Sequence, residues 1–217
     1  MTERLHQMRL YALLTERHCR LPWRETARRL LDGGVDVLQL REKELSDREL
    51  LSRACILREL TEDAGALLIV NDRPDVAIIS QSHGVHLGQD DLPSEPVRHL
   101  IRPQMLLGVS THSTEQAEEA VAQGADYIGV GPFAATTTKD YSEGKGPALV
   151  RRVRACVELP IVAIGGITSA NAGEAVRAGA TAVAACAALC GAEDPEAAAR
   201  ELRAAVEQAH KGDNAHE

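Results

Sequence analysis

Aromatic residues are nearly absent from this sequence: Trp23, Phe133 and three tyrosines make up 2% of 217 residues. A core of this chain must therefore be packed from Ala, Val, Leu and Ile, and the ring platforms on which single-stranded nucleic acid stacks are missing. Net positive charge is missing too. The formal charge of -8 excludes general attraction to nucleic acid or to an anionic membrane, so an anionic ligand would have to be held by local charge. No apolar run reaches the length of a membrane span, and Met1 to Leu10 carries charges where a signal peptide needs an apolar centre. The five cysteines, Cys19, Cys55, Cys156, Cys186 and Cys190, form no Cys-x-x-Cys pair and have no histidine in zinc-site spacing. They are expected to be reduced, mostly buried thiols of a soluble cytoplasmic protein. The Gly-x-Gly-x-x-Gly turn of a doubly wound nucleotide-binding sheet is also absent.

What is present is a regular alternation. Apolar runs at Met8 to Leu14, Val37 to Lys43, Leu67 to Val70, Gly84 to Leu87, Met105 to Val109, Tyr127 to Val130, Ile161 to Ile164 and Thr181 to Ala185 read as strands. Helical stretches follow them, opened by Ser46 with Glu49, Ser113 with Gln116, Asn171 with Glu174, and Asp194-Pro195. A helix-ending glycine followed within three residues by a strand recurs at Gly34, Gly65, Gly124 and Gly179. Eight such units in this length predict one α/β domain, a single (β/α)8 TIM barrel over residues 1–210, with residues 211–217 as a disordered tail.

The polar residues that could carry chemistry fall just after strands, positions that share one rim in a barrel. In an extended Val37 to Lys43, Gln39, Arg41 and Lys43 project to one face and Leu40 and Glu42 to the other. Two cations and an amide at a strand end suit a diphosphate, although charged strand ends also simply reach solvent. Asp72 and Asp91 are candidate magnesium ligands, since that ion takes one or two carboxylates plus phosphate oxygens; a turn or helix cap is the alternative use of either. His83 and His86 read as hydrogen-bonded packing. His112, two residues past Ser110, could shuttle a proton.

Gln39-Leu40-Arg41-Glu42-Lys43, Asn71-Asp72-Arg73, the run Gly84 to Pro93, Gly108-Val109-Ser110 and Ala163 to Ile167 resemble, in order, the segments of the thiamine phosphate synthase family. The resemblance spans nearly the whole chain. It implies a Mg2+-dependent transferase that joins hydroxymethylpyrimidine diphosphate to thiazole phosphate through a pyrimidine carbocation, releasing diphosphate. It implies that Arg41, Lys43 and Lys139, with a metal on Asp72 and Asp91, neutralise the leaving group. Catalytic roles fall on Arg41, Lys43, Ser110 and Lys139, and substrate contacts on residues 39–43, Asn71, Ser110, Thr136, Thr137, Thr138, Lys139, Gly166, Cys186 and Ala187. Two departures lie on the thiazole side: Ala134-Ala135 replaces a bulky residue and proline, and Cys186-Ala187 replaces a pair ending in serine. The rivals are the homologous thiazole tautomerase, working through His112, and a non-catalytic barrel binding thiamine intermediates; the latter would be expected to lack Asp72, Asp91 or Lys43. Small-molecule substrates, no nucleic acid and no membrane are the expected partners, with a homodimer as the assembly an exposed barrel helix face would allow.

Overall fold

A computed structural model describes residues 2–135 and 144–213. Eight parallel strands follow one another around a closed barrel: β1 (Leu10–Leu14), β2 (Val37–Leu40), β3 (Leu67–Asn71), β4 (Gly84–Leu87), β5 (Leu106–Thr111), β6 (Tyr127–Val130), β7 (Ile161–Ile164) and β8 (Ala182–Ala185). Closure is made by β8 on β1, with Leu10 opposite Val183 and Ala12 opposite Ala185. Around the strands lie α1 (Thr2–Gln7), α2 (Trp23–Asp32), α3 (Asp47–Asp63), α4 (Pro74–Ile79), α5 (Ser94–Leu100), α6 (Thr114–Ala122), α7 (Gly146–Cys156), α8 (Ser169–Arg177), α9 (Ala187–Cys190) and α10 (Pro195–Asp213). The expected (β/α)8 barrel is thus the observed architecture. Among the described residues, no helix is long and apolar enough to cross a membrane.

Parallel strands covered on both faces bury consecutive residues, which is why they read as apolar runs. Outward side chains such as Leu38, Leu40, Leu68 and Val85 pack beneath the helices against Leu30, Leu57 and Val97. Inward ones, Tyr11, Val37, Leu67, Leu106 and Val162 among them, fill the barrel. Leu5 of α1 and Met8 just after it, 1% and 2% exposed, join this inner cluster and so close the lower mouth. The charged amino terminus hid this short helix from sequence reading.

Two aspartates at equivalent places tie strand starts together. Asp36 Oδ2 accepts from the amides of Arg9 and Leu10 at 2.8 and 3.0 Å, and its other oxygen accepts from Arg203 of α10 at 2.9 Å. Asp126 likewise accepts from the Leu107 amide at 2.8 Å and from Arg98 at 2.9 Å. Each carboxylate thus links the strand start just ahead of it to a helix arginine. The turn before Asp36 needs Gly34 at φ +87°, a conformation that side chains with a Cβ rarely adopt.

Three expectations need correction. The extended stretch expected to reach Lys43 ends at Leu40, because beyond it the chain leaves the ladder and runs toward α3. The helix at Asn171 is capped one turn earlier, where Asn171 Oδ1 accepts from the Thr168 amide at 2.9 Å. The thiols are not mostly buried: Cys186 and Cys190 are, Cys19 is half-buried, and Cys55 and Cys156 are exposed.

His83 has a purely structural place. The Leu68 amide donates to its Nδ1 at 2.8 Å, which requires a bare nitrogen, and burial, with Arg58 and Arg4 nearby, pushes its pKa down to about 4. The folded state thus favours the neutral ring, while the unfolded ring takes its proton near pH 6.5. Stability from this group is complete above pH 6.5 and is lost as pH falls toward 4. Denaturant titrations at pH 7 and pH 5 should show this fall in the wild type. His83→Leu should be less stable at pH 7 and flatter between the two pH values; an unchanged slope would remove His83 as the cause.

Candidate active site

The polar residues at the strand ends converge on the upper mouth of the barrel. Gln39 and Arg41 face inward from β2 and its continuation, and both line a pocket with Asn71, His86 and Ser110. Arg41 is 6% exposed, its amide donates to the Leu14 carbonyl at 2.9 Å, and its own carbonyl accepts from the Thr15 hydroxyl at 2.9 Å. Among the described residues no carboxylate forms an ion pair with it: Glu42 turns outward to Arg53 at 3.4 Å, and Asp72 lies 3.7 Å from Lys43. A buried guanidinium left in this way is arranged for an anion supplied from outside.

Leu40 and Glu42, expected among the substrate contacts, do not reach the pocket with their side chains. Leu40 packs in the layer between barrel and helices. Glu42 accepts from the Glu16 amide at 2.7 Å and pairs with Arg53, and burial raises its pKa against these opposing partners. Lys43 projects from the loop past β2, well exposed, toward Asp72.

Asp72 follows β3 with φ 62° in the left-handed region, held there as its amide donates to the His86 carbonyl at 2.8 Å. Asp91 follows β4, and its Oδ2 accepts from the Gly88 amide at 2.7 Å. The two carboxyl groups meet. Burial and then the Asp91 carboxylate push the Asp72 pKa up to about 6, against the opposing charges of Lys43 and Arg41. Two oxygen-only ligands crowded together with repelling charge fit a hard divalent cation. Gln89 between them donates to the Ser110 carbonyl at 2.7 Å, linking the end of β4 to that of β5.

His112 lies beyond Ser110. Its Nδ1 is 2.6 Å from the Gly131 carbonyl, which can only accept, so the neutral ring carries its proton on Nδ1 and Nε2 is the basic nitrogen. Gly166 sits past β7 at φ +65°, its carbonyl accepting from Asn171 at 2.8 Å, and a Cβ there would collide with Ala134 and Ala135. The alanines noted as departures thus pack directly on this loop. Cys186 is the N-cap residue of α9, buried beside the Cys190 thiol, and Ala187 is the first, exposed residue of that helix. Thr136, Thr137, Thr138 and Lys139 lie outside the described residues.

Three of the pocket's polar side chains were not expected there from sequence: Tyr11, Tyr127 and His86. Strand parity held a signal for them. Tyr11 lies two residues before Leu13 on the inward face of β1, and His86 is paired in register with Gly108, next to inward Tyr127.

A barrel whose upper mouth combines a buried arginine with no carboxylate paired to it among the described residues, a lysine and two facing carboxylates has the charge arrangement that suits phosphorylated small molecules. Comparison with known proteins narrows the class. A family model described as thiamine monophosphate synthase matches residues 10–189, and the chain belongs to that family. The thiamine-phosphate synthase of Methanoculleus marisnigri is 50% identical over 180 residues, covering 82% of this chain and 85% of the relative. That of Moorella thermoacetica is 47% identical over 189 residues, covering 87% and 90%. Among solved structures, thiamine phosphate pyrophosphorylase from Pyrococcus furiosus superposes with a TM-score of 0.88 at 36% identity, covering 94% of this chain and 98% of that one.

The loop carrying Arg41 is braced from behind by Arg53, which pairs with Glu42 at 3.4 Å and Glu16 at 2.5 Å and stacks over Trp23 at 4.9 Å. Arg53→Ala would leave Glu42 confined without its partner and should cost about 3 kcal/mol in denaturant unfolding. Adding Glu42→Gln to Arg53→Ala should recover part of that loss; two fully additive losses would mean that the pair does not act together.

Proposed function

We propose that this chain is a thiamine phosphate synthase, a transferase joining hydroxymethylpyrimidine diphosphate to thiazole phosphate with release of diphosphate. The observation that carries the reading is Arg41, nearly fully buried in the pocket wall with no carboxylate paired to it among the described residues, beside the facing carboxylates of Asp72 and Asp91. That arrangement supplies what departure of a diphosphate needs, positive charge fixed where negative charge develops.

Asp72 and Asp91 would hold Mg2+. When bound, this ion supplies neutralisation of diphosphate oxygens. Arg41 offers two parallel N–H donors to the same oxygens, and Lys43 a mobile point charge at the mouth. Lys139 belongs with them by family resemblance. Gln39, Asn71 and Ser110 hold the pyrimidine on the floor. As the carbon–oxygen bond breaks, charge moves from the pyrimidine carbon onto the diphosphate, and the confined cations hold the leaving group while thiazole nitrogen attacks the carbocation. Thr136, Thr137, Thr138, Gly166, Cys186 and Ala187 are assigned to the thiazole phosphate side, and the backbones of Leu40 and Glu42 to the diphosphate loop.

A cytoplasmic location is supported by the five free thiols. A homodimer is supported by the exposed apolar side chains Ile79, Leu100 and Val121 on the successive helices α4, α5 and α6. The rival tautomerase reading draws on His112, whose Nε2 is the basic nitrogen.

Purified protein with both substrates and Mg2+ should form thiamine phosphate, and excess chelator should stop it. Arg41→Ala and Lys43→Ala should each slow diphosphate release about ten- to over a hundredfold, the rate equivalent of roughly 1.5 to 3 kcal/mol, while remaining folded by circular dichroism. Full activity in chelator would remove the metal assignment, and wild-type rates in both variants the leaving-group assignment. Absence of product with interconversion of thiazole tautomers would favour the rival.

The missing hydroxyl at Ala187 yields a separate expectation. An exposed first residue of α9 can present a serine without repacking, so Ala187→Ser should lower the Michaelis constant for thiazole phosphate by about tenfold and leave that for the pyrimidine diphosphate unchanged. Steady-state kinetics with each substrate varied in turn decide it; equal constants for the two proteins would place the phosphate elsewhere.

A further inference from the structure

The polar side chains on the barrel floor form one continuous hydrogen-bonded chain. Gln39 Nε2 donates to the Tyr11 hydroxyl at 2.7 Å, the hydroxyls of Tyr11 and Tyr127 are 3.0 Å apart, Tyr127 meets His86 Nδ1 at 3.1 Å, and His86 Nε2 meets Ser110 Oγ at 2.9 Å. The chain crosses the interior from β2 to β5 and ends at two residues that line the pocket. Space for it is cut by Gly108, where a Cβ would collide with both Tyr127 and His86. Burial raises the pKa of both tyrosines, so both stay protonated phenols that can donate as well as accept.

One end sets the direction of every other bond. The amide nitrogen of Gln39 can only donate, so Tyr11 accepts there and turns its own proton to Tyr127. Tyr127 in turn donates to His86 Nδ1, which places the ring proton on Nε2, and Nε2–H donates to Ser110 Oγ. The Ser110 hydrogen is left to point into the pocket, and the Gln39 amide oxygen is the acceptor at the opposite end. With the reverse polarity the pocket would meet an NH2 group and a bare oxygen instead.

We propose that His86, acting through Ser110 and held by Tyr127 and Tyr11 to Gln39, is a positioning residue that makes the site select an aminopyrimidine over an oxopyrimidine. An amino group gives the Gln39 oxygen a donor, and a bare ring nitrogen gives the Ser110 hydroxyl an acceptor. An oxopyrimidine with a ring N–H presents the opposite polarity at both places and is rejected. This inference rests on the synthase reading for the identity of the ring.

The test uses binding, so that it does not depend on turnover. Calorimetry compares the aminopyrimidine monophosphate with its oxo counterpart, and nitrogen NMR of labelled protein reads the His86 tautomer. The wild type should prefer the amino compound and carry its His86 proton on Nε2. Tyr127→Phe should reduce that preference by about ten- to a hundredfold. His86→Gln, whose amide nitrogen can stand in for Nε2–H, should retain more of it than His86→Ala, and this pair serves alone if Tyr127→Phe does not fold. A His86 proton on Nδ1, or a preference unaltered in all three variants, overturns the proposal. A wild type with the preference but no thiamine phosphate formation would instead overturn the synthase reading and leave the polarity of the floor standing.

Discussion

Polar groups inside a closed barrel must find partners among themselves, and the arrangement of this molecule follows from that requirement. The lower layer of inward side chains, Val37, Leu67, Leu106 and Val162 with Leu5 and Met8 beneath, has nothing to satisfy. One layer up stand Tyr11, Gln39, His86 and Tyr127, each in a chain of bonds no longer than 3.1 Å. A half-satisfied network here would be more damaging than an apolar filling, because each orphaned group would lose its hydration without replacement. Substrate chemistry is thus set on a floor whose donors and acceptors are oriented before any ligand arrives.

Electrostatics at the rim obey a similar rule of division. The chain carries a net charge of -8, yet among the described residues no carboxylate is ion-paired with Arg41: Glu42 is held by Arg53, and Asp72 lies beside Lys43 and Asp91. Sequestering Glu42 behind the loop keeps the guanidinium from being neutralised internally. An acidic protein can in this way keep a strongly cationic pocket.

The architecture was legible in the sequence because its signals were local. Ser46 with Glu49, Asp194 with Pro195, and glycines at the helix ends punctuate the chain, and apolar runs between them mark doubly covered strands. Arg41, Asp72 and Asp91 were legible for a related reason, since a charged residue directly after an apolar run stands out. His86 was read as hydrogen-bonded packing, which it is, but its place in the pocket wall was not legible, because its partners Ser110 and Tyr127 are 24 and 41 residues away. His83, three residues earlier, differs only in which way it points. α1 was hidden by its brevity, as one apolar residue, Leu5, among five charged or polar ones shows no period.

Sealing of the lower mouth by Leu5 and Met8 turns the barrel into a vessel with one opening. A molecule resting on the Gln39–Ser110 floor would have the rim as its one way in and out. On the proposed reading, a cation formed at depth would be walled in on every side but the one that opens at the rim, the side left for its nucleophile.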